Sequence, residues 1–282
     1  MSSERRSRSE RRRESRRERR HPSRPSIWRG PAPIVGAVVL IAGVIAAFVF
    51  LSQRSATTND ADAAAIAASV TSVPPATLEN VGAGTLANPL QTTGATAPLK
   101  AASGKPVVIY VGAEFCPFCA SERWSLVVAL SRFGTFKGLG LTRSSASDVY
   151  PNTPTFTFRG SSYTSDVIEL APVETQDRDK SPLDTPSALQ DASLKRYDQA
   201  GSIPYLSIAD RYFEVGSGYP PDVLAGRTWQ QIADQLRDPS SSVARAVLAN
   251  ANFITAAICD VTANAPASVC DSAALRALPK PK

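Results

Sequence analysis

Residues 107–133, VVIYVGAEFCPFCASERWSLVVALSRF, leave the chain few ways to fold. Val107, Val108, Ile109, Tyr110 and Val111 form an unbroken apolar run of strongly β-favouring residues, which predicts a strand covered on both faces. Beyond the Cys116-Pro117-Phe118-Cys119 turn, Trp124, Val127 and Val128 recur at helical spacing, and Gly134 supplies a stop. Pro117 suits a first helical position, where a missing N–H costs nothing and φ is already set. Cys116 is then the N-cap, and a thiolate there faces free backbone N–H groups and the positive end of the helix dipole.

The thiolate, not the thiol, attacks disulfides, and this setting lowers a cysteine pKa from ~8.5 to roughly 3.5–7.5. Cys119, one turn on and less exposed, is placed to resolve the mixed disulfide that Cys116 forms. Three uses of the pair compete: thiol–disulfide exchange, an inert disulfide, and a zinc knuckle. Zinc wants about four ligands. The only histidine, His21, lies across a hydrophobic segment, and Cys259 and Cys270 are distant in sequence. No metal and no organic cofactor is indicated, and no Gly-rich phosphate loop occurs.

The net charge of +6 misleads until it is divided. Residues 1–30 carry twelve Arg and four Glu, whereas the remainder has 19 Lys+Arg against 21 Asp+Glu. The Arg-rich tail, with almost nothing apolar, reads as disordered. Residues 32–51, APIVGAVVLIAGVIAAFVFL, contain no charge and are long enough to cross a bilayer as a helix. Arginines just before it and none until Arg54 predict a cytoplasmic N-terminus and an extracytoplasmic domain. The tail then serves as topology determinant and anionic-lipid contact, not as a nucleic-acid partner. Secretory apolar cores are shorter, about 7–15 residues, so an uncleaved signal anchor in the cell membrane is expected.

In order, the expected parts are a basic tail (1–30), a transmembrane helix (31–52), and a linker and lead-in (53–103) with prolines, glycines and one edge strand. A main domain (104–238) and a C-terminal helix with the second cysteine pair and a tail (239–282) follow. After the CxxC helix, strands are expected at 136–142, 153–158 and 165–172, then a polar loop at 174–185. An amphipathic helix at 186–198 follows, with Leu189 and Leu194 inward. Ile203-Pro204 opens a strand that turns near Asp210-Arg211 and returns at 212–215. Thr228 and Gln231 form a capping box for a helix whose inner face is Trp229, Ile232, Ala233 and Leu236. The last helix carries Val243, Val247, Ala251, Ile254 and Ile258 inward and delivers Cys259 at its end.

This order resembles the thioredoxin fold, on the EFCPFC segment and on Ile203-Pro204. The resemblance implies an α/β thioredoxin-like fold with an insertion, about 148–198, between the CxxC helix and a cis-proline strand, a C-terminal helical extension and an N-terminal transmembrane helix. It implies that Pro204 is cis and shapes a substrate groove in which Ile203 pairs with substrate backbone. Thioredoxins proper hold a buried acid six residues before the first cysteine; Tyr110 stands there, which points away from a general reductant and toward an oxidase or isomerase-like role. More closely, GAEFCPFCASERW, ALSRFGTF, DVYPNTPTFTF, SSYTS, IPYL and NFITAAIC resemble a domain-of-unknown-function family of membrane-anchored thioredoxin-like proteins of bacteria and archaea.

The expected activity is thiol–disulfide exchange on cysteine-containing exported proteins or with a membrane redox partner. Cys116 attacks, Cys119 resolves, and Phe118, Ile203 and Pro204 contact substrate. The rival reading is a non-catalytic binding module, or an accessory subunit of a membrane redox complex, with a locked disulfide. Cys259 and Cys270 are a structural disulfide, worth around 3 kcal/mol by loop closure, or a relay to the first pair. Glu114 near Cys116 is either a solvated charge or a proton relay. Trp124 is expected in the core and Phe118 at the surface. The segments at 150–154 and 160–163 read as turns, with the lining of a site as the alternative.

Overall fold

The computed structural model describes residues 40, 41, 43–45 and 62–282. The chain divides into two units, Met1–Ser55 and Ala56–Lys282. In the first, Leu40, Ile41 and 43–45 are helical and exposed. The basic tail, the rest of the expected transmembrane segment and the spacer up to residue 61 lie outside the described residues.

The second unit is mixed α/β around a five-stranded mixed sheet. Helices α1 (Asp62–Thr71) and α2 (Pro75–Val81) lead to edge strand β1 (Gln91–Thr92) and then to β2 (Val107–Gly112). The CPFC helix is α3 (Pro117–Ser131). Four short strands follow, β3 (Gly134–Lys137), β4 (Gly140–Arg143), β5 (Pro154–Thr157) and β6 (Ser162–Ser165), and then β7 (Glu169–Glu174). Helix α4 (Ala188–Tyr197) precedes the hairpin β8 (Tyr205–Ile208) and β9 (Tyr212–Val215), and α5 (Trp229–Gln235), α6 (Ser242–Val261), α7 (Ala267–Cys270) and α8 (Ala273–Arg276) finish the chain.

Every residue of β2 is buried. It runs parallel to β7, from Val107↔Glu169 to Gly112↔Glu174, and antiparallel to β8, from Val108↔Ile208 to Val111↔Tyr205. Its alternating side chains enter two cores. Val108 and Tyr110 join Trp124, Leu126 and the α6 residues, while Val107, Ile109 and Val111 meet Val173, Leu194 and Tyr205 on the other face. Coverage on both faces is why the run shows no polar alternation.

Helix α3 is buried from Cys119 to Leu130, and α6 lies against it, with Ser125 Oγ donating to Val247 O at 3.0 Å. Val243, Val247, Ala251, Ile254 and Ile258 are all fully buried, as their spacing predicts. By length and a mean hydropathy of 1.4 this helix is apolar enough to cross a membrane, but 83% of that window is buried inside the unit. The Thr228–Gln231 capping box is present, and Ile232, Ala233 and Leu236 are buried beneath a half-buried Trp229.

Several expectations need correction. The strand expected at 136–142 is two strands, because Gly138 at φ +70° breaks it; β3 pairs with β6, β4 with β5, and neither joins the central sheet. The segment at 148–198 is not a pure insertion, since β7 within it supplies the parallel neighbour of β2. Glu174 ends that strand, 1% exposed, instead of opening a solvated loop. The lead-in contains α2, with Pro75 as a helix starter rather than a breaker. In α4 the Ser187–Gln190 capping box sets a phase that turns Gln190, Ser193 and Leu194 inward and leaves Leu189 43% exposed. Polar inward positions are tolerated there because Gln190 Nε2 donates to Ala171 O and Ser193 shares a 2.9 Å hydrogen bond with the Tyr205 hydroxyl.

Candidate functional site

The strand-to-helix turn behaves as its residues dictate. Pro117 begins α3, Cys116 has extended backbone (φ −77°, ψ 122°), and its Sγ accepts the Cys119 N–H at 3.3 Å. Across from it the Ile203–Pro204 bond is cis, and the Cys116 thiol faces Ile203 O at 3.8 Å. Cys116, Cys119, Ile203 and Pro204 therefore share one site. Phe118 projects from the turn, 37% exposed, against Tyr150, with ring centroids 6.0 Å apart. Trp124 lies in the core, its indole N–H on Pro154 O and its ring edge-on to Phe156.

Cys116 is less open than a helix-start thiol is expected to be, at 6% exposure, because the approach to β8 closes over it; Cys119 has none. Both are free thiols. The Cys119 side chain hydrogen-bonds the Cys116 sulfur and, against the opposing effect of burial, brings the Cys116 pKa from 9.0 down to about 7, helped by backbone N–H groups and by Arg123. Burial, and the hydrogen bond given to Cys116, push Cys119 well up. One thiol is thus poised to ionise and the other to hold its proton. Alkylation of the reduced chain should titrate Cys116 with a midpoint near pH 7 while Cys119 reacts far more slowly; a Cys116 midpoint near 9 contradicts this geometry.

Beneath the pair lies a charged layer that was not anticipated from sequence. Arg123 is fully buried. Its Nε donates to Glu174 Oε1 at 2.8 Å, and its Nη2 donates to Glu174 Oε2 and to Ala113 O. The guanidinium carbon stands 5.8 Å from the Tyr110 ring centroid. Tyr110 is folded over Gly112, where a Cβ would come within 2.2 Å of the tyrosine oxygen, so only glycine fits. Neither Tyr110 Oη nor Arg123 Nη1 has a hydrogen-bond partner among the described residues. Burial raises Glu174 above the usual carboxylate range, and Arg123 pulls it back.

On the other side of α3, Glu122 is fully buried, accepting from Asn250 Nδ2 at 2.9 Å and from Gly218 N. Glu214 of β9 is buried with neither oxygen partnered among the described residues. Burial lifts Glu122 to about 7 and, with the Glu122 charge adding to it, lifts Glu214 well above its ordinary value. The available signal was α3 itself, apolar from Trp124 to Leu130 save for Ser125, which leaves Glu122 and Arg123 no solvent face to occupy.

Other expected positions are accounted for simply. Glu114 accepts from Thr142 Oγ1 at 3.2 Å. Tyr163 and Ser161 donate to Leu130 O and Phe158 O and line no site with the cysteines. Cys259 and Cys270 are joined in a disulfide at the end of α6. Among the described residues no three His, Cys, Asp or Glu side chains are grouped so as to hold a metal ion.

Residues 97–195 match a family described as a domain of unknown function (DUF929). The match covers just over a third of the chain. The DUF929 span takes in β2, α3 and β7, and so contains Cys116, Cys119, Arg123 and Glu174, but it stops before Ile203–Pro204 and the second cysteine pair. No curated protein and no solved structure matches the chain significantly.

Proposed function

We propose that this chain is a membrane-anchored, extracytoplasmic thiol–disulfide oxidoreductase of thioredoxin-like fold, oxidase or isomerase-like, acting on cysteines of exported proteins. The observation that carries the reading is an N-cap Cys116 whose Sγ accepts the Cys119 N–H at 3.3 Å and faces Ile203 O at 3.8 Å, beside Pro204. The sheet order β9-β8-β2-β7, with β8 antiparallel to β2 and the CPFC helix linking parallel β2 and β7, supports the fold assignment. The apolar segment 32–51 supports the anchor, and the Cys259–Cys270 disulfide suits an oxidising compartment.

In this reading a thiolate on Cys116 attacks a substrate disulfide, or a substrate thiolate attacks Cys116 within its own disulfide. Cys119, internal, is the resolving sulfur once it has lost its proton in the first direction, and in the second the leaving sulfur, which then takes up a proton. Phe118, Tyr150 and Ile203 form an apolar lip for the substrate segment around its cysteine. The low exposure of Cys116 favours the alternative, a non-catalytic binding module or accessory subunit of a membrane redox complex. A Cys119→Ala chain expressed in its membrane separates the two. Exchange predicts mixed disulfides through Cys116 that a reductant releases; an empty trap under oxidising and reducing conditions supports the binding module.

A further inference from the structure

We infer that Arg123, acting through Cys116, raises the reduction potential of the Cys116–Cys119 pair and so favours its use as an oxidant of substrate thiols; this rests on the exchange reading above. Cys116, Cys119 and Arg123 are spaced by three and four residues, and so share one face of α3. Long side chains on a helix lean toward its N-terminus. Arg123 does so, its Nη2 reaching back to Ala113 O at 2.8 Å, the same carbonyl that takes the Cys116 N–H at 3.3 Å. The guanidinium is thereby fixed under the turn that carries the reactive sulfur. Being fully buried, it acts in a medium where water and salt screen it little.

A disulfide is neutral, whereas the reduced pair carries a thiolate on Cys116. A cation beneath it therefore stabilises the reduced form selectively and raises the reduction potential. Glu174 grips Nε and Nη2, and both thiols feel the arginine as a charge that favours their ionised forms. Nη1 remains without a partner among the described residues.

A substrate thiolate attacks Cys116 Sγ; the Cys116–Cys119 bond breaks, and Cys119 leaves with the electron pair and takes a proton. A second substrate thiolate then attacks the substrate sulfur of the mixed disulfide and releases Cys116 as a thiolate. The substrate dithiol loses two electrons to form its disulfide, the pair gains them, and of the two substrate protons one rests on Cys119 and one enters solvent.

The test equilibrates full-length chain, in mild detergent, with mixtures of glutathione and glutathione disulfide, and reads the redox state of the Cys116–Cys119 peptide by alkylation and mass. Arg123→Met together with Glu174→Gln removes both charges and should lower the equilibrium constant for oxidising glutathione at least tenfold, about 30 mV for a two-electron couple. Glu174→Gln alone leaves the cation uncompensated and should move the constant the other way. An unchanged constant in a folded double variant, or a Glu174→Gln shift in the same direction as the double, overturns the inference while exchange by the unaltered chain keeps the oxidoreductase reading. If the double variant does not fold, the sign of the Glu174→Gln shift decides. If the unaltered chain never exchanges with glutathione, the oxidoreductase reading falls and the role of Arg123 falls with it.

Discussion

Arg123→Met alone should destabilise the fold by about 3–5 kcal/mol, the range expected when one partner of a buried ion pair is removed and the other is left behind. For a unit of this size that is a fall in Tm of roughly 6–20 °C. The cost comes from Glu174, which is 1% exposed and would lose both its counter-charge and two hydrogen bonds. Adding Glu174→Gln should recover most of the loss, because the remaining groups are neutral. The full cycle of single and double variants, unfolded by denaturant, measures the coupling. A single-variant loss below about 1 kcal/mol would show that the pair is wetter than its burial implies.

The second large effect concerns pH. Glu122 and Glu214 have folded-state pKa values raised above the ordinary 4.5, Glu122 to about 7, chiefly by burial. Between pH 4.5 and 7 the folded chain keeps protons that the unfolded chain has released, so stability must fall as pH rises through this window. For Glu122 alone the integrated loss is about 3 kcal/mol, at 1.36 kcal/mol per pKa unit. The oxidised chain is the right sample, since a reduced Cys116, with its lowered pKa, contributes in the opposite sense near and above pH 7. Thermal unfolding should give a Tm that drops steadily from pH 5 to 7.5. Glu122→Gln with Glu214→Gln should flatten that slope and raise the Tm at pH 8. Glu174, also raised by burial, leaves a smaller slope of the same sign; a Tm that climbs with pH across the window, or a slope as steep in the double variant as in the unaltered chain, would place Glu122 and Glu214 in water instead.

What was legible in the chain was what local chemistry decides. The apolar run of β2, the proline that starts α3, the capping box at Thr228 and the five inward residues of α6 each follow from propensity, capping or periodicity. What escaped was decided by tertiary burial. Arg123 and Glu122 look like an ordinary solvated pair; the one sign of burial is the nearly all-apolar stretch Trp124 to Leu130 that follows them, and the helix that covers Glu122, α6, is distant in sequence. Glu174 opens a polar stretch in sequence, yet pairing with Gly112 carries it inside, where only a residue 51 positions earlier balances it. Pro74-Pro75 reads as an interruption and instead starts a helix, because proline is a breaker inside a helix and a starter at its head. The Ile203–Pro204 position came from resemblance alone; no residue pattern near it specifies what lies opposite.

The reduction potential of the Cys116–Cys119 couple decides between an exchange site and a structural disulfide. A helix-start sulfur that ionises near pH 7 above a buried guanidinium predicts a value near or above roughly −230 mV, in the range of working exchange catalysts. A value below about −300 mV, where structural disulfides of secreted proteins lie, would contradict it and leave the pair as a staple.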